Sequence, residues 1–163
     1  YAHRFGGFAG GPMPAPGEGR QAAFAAGGAS LYQDFGVIES NKIYRLAVSC
    51  GRRSDQLEGI CQISLRQGAW NGAFLSATEE GAIPAGTFVN RIIGFETTFG
   101  ANAAAVGERL FVVLGAPGNQ VAFDHVVLTA RSPARVSVSG AAECENLATD
   151  AALVVTGDRK SVV

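Results

Sequence analysis

The chain has 163 residues, the usual size of one domain and enough to close a single hydrophobic core. Charged residues make up 17% of the chain and hydrophobic residues 47%, which excludes a disordered chain and a coiled coil. Its 13 basic and 14 acidic residues include no block of one sign, which argues against a nucleic-acid partner. No apolar run approaches the roughly 18 residues that a membrane span needs.

The start of the chain gives an expectation about its location. It lacks the charged and then apolar pattern of a signal peptide. Because the first residue is Tyr1 and not Met, we expect that an upstream segment was removed, as happens in secreted or particle-assembled proteins. The expected location is therefore extracellular, at the cell surface, or in a virion.

Short alternating or wholly apolar runs recur between glycine-rich turns, whereas the helical spacing of apolar residues is nearly absent. Residues 1–20 hold many glycine and proline breakers without a period, which predicts an extended arm. Residues 101–106 are rich in alanine but short, which predicts a loop with one turn. The predicted strands, in chain order, are 21–26, 30–35, 43–50, 60–67, 73–77, 87–95, 109–114 and 121–129, then 135–139 and 153–156.

Strands at this spacing are typical of a sandwich or a barrel. In 43–50 the apolar side chains alternate with Arg45, Ala47 and Ser49, which predicts a half-exposed strand. In 110–114 every residue is apolar, which predicts a central core strand. The predicted fold is an all-β antiparallel β-sandwich over 21–130, with the arm at 1–20. A C-terminal β extension is predicted over 131–163, as an edge strand or a subunit contact.

The familiar enzyme motifs are absent from the sequence. Its two histidines are His3 and His125, and it holds no Gly-x-Ser-x-Gly, His-Glu-x-x-His, Walker or Cys-x-x-Cys motif. Glu79 and Glu80 are adjacent, so in an extended segment they point to opposite sides and cannot act as a carboxylate pair. No cluster of His and Cys has the spacing of a metal site. These observations predict a protein that is not an enzyme.

Cys50, Cys61 and Cys144 give an odd number of cysteines. Cys50 ends one predicted strand and Cys61 opens the next, so a hairpin would bring their sulfur atoms together. A disulfide in an oxidising compartment is favoured over two buried thiols that pack as small hydrophobic groups. Cys144 would then be free or bonded to another chain.

Five segments within residues 17–130 resemble, in this order, the galactose-binding-like jelly rolls of bacterial extracellular proteins: GRQAAFAAGGASLYQDFG, IYRLAVSCGRRSD, QISLRQG, GERLFVVL and QVAFDHVVLTA. The most specific part, residues 123–128, is similar to the closing strand Phe-Asp-Asn-Val-x-Leu of that superfamily. The opening strand of the superfamily is missing, and the tail after Ala130 has no counterpart in it. The resemblance implies a jelly roll of the kind found in carbohydrate-binding modules.

Asp124 is the expected metal ligand under this resemblance. Strand alternation places Asp124 on the face of Val126 and Leu128, which the resemblance makes the core face, and a carboxylate there needs a partner. In similar modules the corresponding Asp often helps to hold a structural calcium ion. The alternative is an Asp that accepts hydrogen bonds from loop N–H groups. No cofactor other than this calcium ion is expected.

The ligand-facing side chains expected for a glycan site lie near predicted turns. An exposed aromatic ring can stack on a sugar, and Arg and Asp can hydrogen-bond its hydroxyls. The alternatives are a Trp that packs partly buried and arginines that only pair with Asp55 or Glu58. The expected glycan-contacting residues are Trp70, Tyr32, Arg52, Arg53 and Asp55.

Two functions are consistent with these patterns. The first is a non-catalytic extracellular recognition module that binds glycans or serves in adhesion, which rests on the resemblance. The second is a structural subunit of a secreted filament, surface layer or phage particle. In that case the arm and tail would pair with neighbouring subunits, so that the chain self-associates.

Overall fold

The computed structural model describes residues 2–4, 21–56, 59–80, 83–118 and 120–133. This part of the chain is almost entirely strand and turn. No helix in it is long and apolar enough to cross a membrane. Its strands are β1 (Ala2–Arg4), β2 (Gln21–Ala25), β3 (Ser30–Val37), β4 (Ile43–Gly51), β5 (Cys61–Gln67), β6 (Phe74–Glu80), β7 (Phe88–Glu96), β8 (Arg109–Gly115) and β9 (Val121–Arg131).

The strands form two antiparallel sheets, which confirms the predicted all-β sandwich. The five-stranded sheet has the order β1-β2-β9-β4-β7, and the four-stranded sheet has the order β3-β8-β5-β6. As predicted, β8 is a central strand, because it lies between β3 and β5, and Leu110, Val112 and Leu114 are buried.

The core fills the space between the sheets. Tyr44, Leu46 and Val48 of β4 are buried, while Arg45 between them is exposed, as the alternation predicts. The Tyr44 ring stacks on Phe95 with the ring centres 4.6 Å apart. Its hydroxyl accepts a hydrogen bond from the backbone N–H of Glu39 at 2.8 Å. Each large apolar side chain buried in this way stabilises the fold by about 1.5–3 kcal/mol.

The chain departs from the predicted elements near its start. Residues 2–4, within the predicted arm, form strand β1, which pairs with β2 in the register Ala2↔Ala23. The free edge of β2 offers unpaired backbone groups, so even a short segment can extend the sheet there. The alanine-rich segment forms a single 3₁₀ turn, Ala103–Ala105, as expected. The strands predicted at 135–139 and 153–156 lie outside the described residues.

Cys50 and Cys61 form a disulfide, with their Cα atoms 6.5 Å apart. Both side chains are fully buried. The predicted hairpin between them is wrong, because β4 belongs to the five-stranded sheet and β5 to the four-stranded sheet. The disulfide therefore links the two sheets through the core.

A β-bulge interrupts β9 beside β4. Ser49 pairs with Asp124 and Ala47 pairs with Val127, so β9 carries one extra residue over this interval. His125, inside the bulge, has a φ of 48°, in the left-handed region that His adopts more readily than most residues. The extra residue reverses the alternation of side chains along β9.

Candidate functional site

A cavity of about 210 Å³ lies between the two sheets on the side of strand β3. We call it the inter-sheet cavity. Its lining is mainly aliphatic and aromatic, as is usual for small-molecule sites, although its volume is below the roughly 300 Å³ at which such sites begin. The lining residues are Ala23, Leu31, Tyr32, Gln33, Phe35, Val112, Leu114 and Val126.

The four-stranded sheet supplies most of this lining. Leu31 pairs with Leu114 and Gln33 pairs with Val112, so these residues share the face of the sheet that is turned to the core. Because β3 is an edge strand, its side chains are not enclosed by a further strand. The cavity is therefore open to solvent along this edge.

The five-stranded sheet supplies Val126 because of the bulge at His125. Val127 pairs with Ala47 on the outer face, so Val126 points to the opposite, inner face. Without the extra residue, Val126 would lie on the outer face. The bulge thus places the apolar side chain of Val126 in the lining of the cavity.

Gln33 supplies the amide of an otherwise apolar lining. Tyr32 borders the cavity, but strand alternation places its side chain on the other face of β3, where its ring stacks on Trp70. Asp34, the next residue on β3, lies on the other face of the strand, where its carboxylate accepts a hydrogen bond from Arg109 Nε at 2.9 Å. That hydrogen bond, and a second from the backbone N–H of Gly36, hold the pKa of Asp34 below its usual value. Asp34 therefore stays ionised at neutral pH and cannot donate a proton to a bound molecule.

The structure brings together two of the five residues expected at a glycan site. Tyr32 and Trp70 stack with their ring centres 5.4 Å apart, and they are 58% and 47% exposed. Trp70 lies in the turn after β5, and the N–H of Gly68 in this turn donates to Arg109 O at 2.8 Å, which draws the turn toward β8. The pair forms an exposed aromatic patch beside the four-stranded sheet.

Arg52 has a structural position instead of a ligand-facing one. Its guanidinium donates to Gln56 O from both Nε and Nη2, at 3.0 and 2.6 Å, and to Ile83 O from Nη1 at 2.8 Å. Charge-assisted hydrogen bonds of this kind are among the stronger ones in proteins. Arg52 thereby ties the connection after β4 to the segment before β7.

Arg53 and Asp55 form an exposed pair with two hydrogen bonds of 2.8 and 2.6 Å. This pairing is the alternative considered for them from the sequence, and it lowers the pKa of Asp55 and raises that of Arg53. They lie before β5, whereas Trp70 lies after it. Seven strand residues separate the two places, which corresponds to roughly 20 Å, so the five residues do not form one site.

Asp124 lies on the outer side of β9, because it pairs with Ser49 before the bulge begins. The expectation that it shares a face with Val126 is wrong, since the bulge at His125 separates the two. Asp124 is buried, and its Oδ1 accepts a hydrogen bond from the N–H of His125 at 2.8 Å. The described residues contain no group of three or more His, Cys, Asp or Glu side chains that could hold a metal ion. A calcium ion at Asp124 therefore stays a prediction, and no chemical step is assigned to it.

Apart from Tyr32, none of the cavity residues was expected at a binding site from the sequence. One signal was present, because Gln33 interrupts an apolar face of β3 between Leu31 and Phe35. A polar residue among apolar residues on an inward face often marks a place where a ligand is oriented. The position of Val126 had no such signal, since it depends on the bulge.

A family model described as HpiC1-like, for the HpiC1 cyclase, matches residues 7–129 of the chain. A cyclase from Fischerella sp. TAU, solved in complex with 4-(1H-indol-3-yl)butan-2-one, is 26% identical over 77% of this chain and 73% of its own, with a TM-score of 0.61. An apo cyclase from Fischerella sp. is 27% identical over 73% of this chain and 66% of its own, with a TM-score of 0.59. None of the curated proteins matches the chain.

These comparisons contradict the function expected from the sequence. The matching family is one of cyclases, so the prediction that the chain is not an enzyme is wrong. The non-catalytic glycan-binding or adhesion module and the structural subunit are wrong for the same reason. The resemblance to galactose-binding-like jelly rolls holds at the level of the β-sandwich. The error arose because the absence of the familiar enzyme motifs does not exclude an enzyme that uses none of them.

Proposed function

Because the chain belongs to the HpiC1-like cyclase family, we propose that it is a cyclase that closes a ring in a small, largely apolar molecule. The observation that carries this proposal is the inter-sheet cavity, whose inward-facing side chains are apolar apart from Gln33. The bound indole compound of the similar Fischerella cyclase supports an aromatic, mostly apolar substrate class.

Ring closure onto a carbon–carbon double bond forms one σ bond and consumes one π bond. Any proton that is added at one carbon is lost from another, so the product is an isomer of the substrate. Such a reaction depends strongly on holding a flexible chain folded near the closing geometry. An apolar cavity provides this by packing, and it also keeps water away from reactive intermediates.

Two side chains of the cavity have specific roles in this proposal. The Gln33 amide can donate to or accept from a heteroatom of the substrate, which would fix the orientation of an otherwise apolar molecule. The Phe35 ring, partly exposed at the edge of the cavity, can stabilise positive charge that develops during ring closure.

An extracellular or cell-surface location remains part of the proposal. The disulfide between Cys50 and Cys61 supports it, because such bonds persist mainly in oxidising compartments.

The experiment fills the cavity and compares the result with a matched change on the other face of the same strand. Val126 and Val127 are adjacent and 41% and 39% exposed, but only Val126 lines the cavity. Binding of 4-(1H-indol-3-yl)butan-2-one to wild type, V126W and V127W is measured by calorimetry, and circular dichroism checks that each variant is folded. We expect V126W to weaken binding at least about tenfold, which corresponds to 1.4 kcal/mol, and V127W to bind as wild type does.

A second arm measures turnover. Indoles with an acyclic unsaturated side chain are incubated with each variant, and products of unchanged mass but different retention time are sought by liquid chromatography and mass spectrometry. Wild type and V127W should form such isomers, and V126W should not. Equal binding and turnover by folded V126W and wild type, or no isomer from wild type, would contradict the proposal.

A further inference from the structure

A second concave site lies on the outer face of the five-stranded sheet, opposite to the core. We call it the outer groove. It has a volume of about 430 Å³ and runs across β9, β4 and β7. The residues of its lining that carry the argument are Ile43, Arg45, Ile92, Gly94, Glu96 and Arg131.

The strand register orders these residues in rows across the sheet. Ile43 lies between Arg131 and Glu96 in the first row, and Arg45 pairs with Gly94 in the second. Arg45 and Arg131 are therefore diagonal neighbours, with a separation of roughly 7–8 Å. Two guanidinium groups lie at one end of the groove.

An apolar row follows directly. Ala47 lies between Val127 and Ile92, and Ile92 is 53% exposed. These three side chains lie on the solvent face of the sheet and do not pack in the core. Together they form an apolar surface beside the two arginines. The groove thus combines a cationic end with an apolar wall.

Gly94 keeps the floor of the groove at the level of the backbone. A Cβ atom built at this position would lie 2.5 Å from the carbonyl oxygen of Tyr44. A side chain is therefore excluded, and the space over the second row of the sheet stays open.

The charges of the groove differ from those elsewhere on the surface. Arg53 and Arg109 are paired with Asp55 and Asp34. By contrast, within the described part of the chain, the guanidinium groups of Arg45 and Arg131 form no hydrogen bond or ion pair. Two neighbouring guanidiniums repel each other, and an anion placed between them removes this repulsion. Glu96 is also a diagonal neighbour of Arg45, on the β7 side, but no ion pair joins the two among the described residues. An anion is therefore favoured on the β9 side of Arg45, toward Arg131, and disfavoured on the side of Glu96.

We propose that the outer groove binds a small organic anion with an apolar body. The anionic group lies between Arg45 and Arg131, where each guanidinium can donate two parallel hydrogen bonds, and the body lies along Ala47 and Ile92. This site is separated from the inter-sheet cavity by the five-stranded sheet and does not depend on the proposed cyclase activity.

The test uses sodium octanoate as the probe and 1-octanol as its uncharged counterpart. The full chain is labelled with ¹³C at isoleucine methyl groups, and methyl shifts are followed during titration. Ile43 and Ile92 report on the groove, and Ile63, which is fully buried in the core, is the internal reference. The variants are Arg45→Gln and Arg131→Gln, with Arg53→Gln as a control of equal charge change and V126W as a control for entry into the inter-sheet cavity.

We expect saturable shifts of Ile43 and Ile92 with octanoate and binding of 1-octanol that is about tenfold weaker. Arg45→Gln and Arg131→Gln should each weaken octanoate binding about threefold to tenfold, since each removes one charge-assisted contact. Arg53→Gln and V126W should bind as wild type does. Equal affinity for octanoate and 1-octanol, unchanged binding by Arg45→Gln, or loss of binding in V126W would each overturn the proposal.

Discussion

Removal of the disulfide tests how strongly the two sheets depend on a covalent link. The perturbation is reduction of Cys50–Cys61 in a chain that carries Cys144→Ser, so that no third thiol can exchange with the pair. The double variant C50A/C61A is the second form of the same test. It also removes two buried sulfur atoms, so its effect should be at least as large as that of reduction.

The magnitude follows from the length of the loop that the bond closes. The two cysteines are 11 residues apart in the sequence. In the chain-entropy model a loop of this size lowers the entropy of the unfolded chain by about 9 cal/mol/K, which stabilises the fold by about 3 kcal/mol at 25 °C. With a typical urea dependence of about 2 kcal/mol per molar, the unfolding midpoint should fall by about 1.5 M on reduction.

The assay is urea unfolding of the oxidised and the reduced chain, monitored by the fluorescence of Trp70. Circular dichroism of the reduced chain without urea establishes whether it is still a β-sandwich. Identical midpoints for the two forms would refute the argument, because the loop would then be constrained equally without the bond. Peptide mapping without reduction that finds both thiols free would refute it directly.

Three further predictions concern single side chains. Arg52→Ala should lower the free energy of unfolding by about 2–3 kcal/mol, because two loop carbonyls lose a charged donor. Arg53→Ala should lower it by less than about 1 kcal/mol, because the ion pair of Arg53 with Asp55 is exposed. Chemical denaturation of both variants measures the difference. Hydrogen bonds from Arg109 and from the N–H of Gly36 lower the pKa of Asp34 in the folded chain below its usual value. The stabilising contribution of Asp34 is therefore fully present above that usual value and is lost as the pH falls through the lower pKa of the folded chain. Wild type should therefore exceed Asp34→Asn in stability at neutral pH, and the two should converge in acid; a difference independent of pH would contradict this. Asp124→Ala should lower stability by about 1–3 kcal/mol because the N–H of His125 loses its acceptor. Melting curves with and without a chelator separate its two roles: a chelator effect that vanishes in the variant favours calcium, and an unchanged melting temperature in the variant contradicts both.

The strands themselves could be predicted from the sequence because their signal is local. The alternation of Tyr44, Leu46 and Val48 with polar or small residues specifies a strand with one buried face, whatever its neighbours are. The continuous apolar run in β8 similarly predicted a central position, which the pairing with β3 and β5 confirms. Strands β2 to β9 each begin and end within a few residues of a predicted strand, and among the described strands only β1 was not predicted.

Tertiary structure decided which strands pair and which faces they present. Consecutive strands β4 and β5 resemble a hairpin in the sequence, but they lie in different sheets, because pairing depends on partners that are distant in the chain. One extra residue at His125 places Asp124 and Val126 on opposite faces, and no local periodicity marks such a bulge. The inter-sheet cavity exists because β3 is an edge strand and Val126 turns inward. A cavity lined by residues of four separate strands has no contiguous motif, so the cyclase family could not be predicted from the sequence although the β-sandwich could.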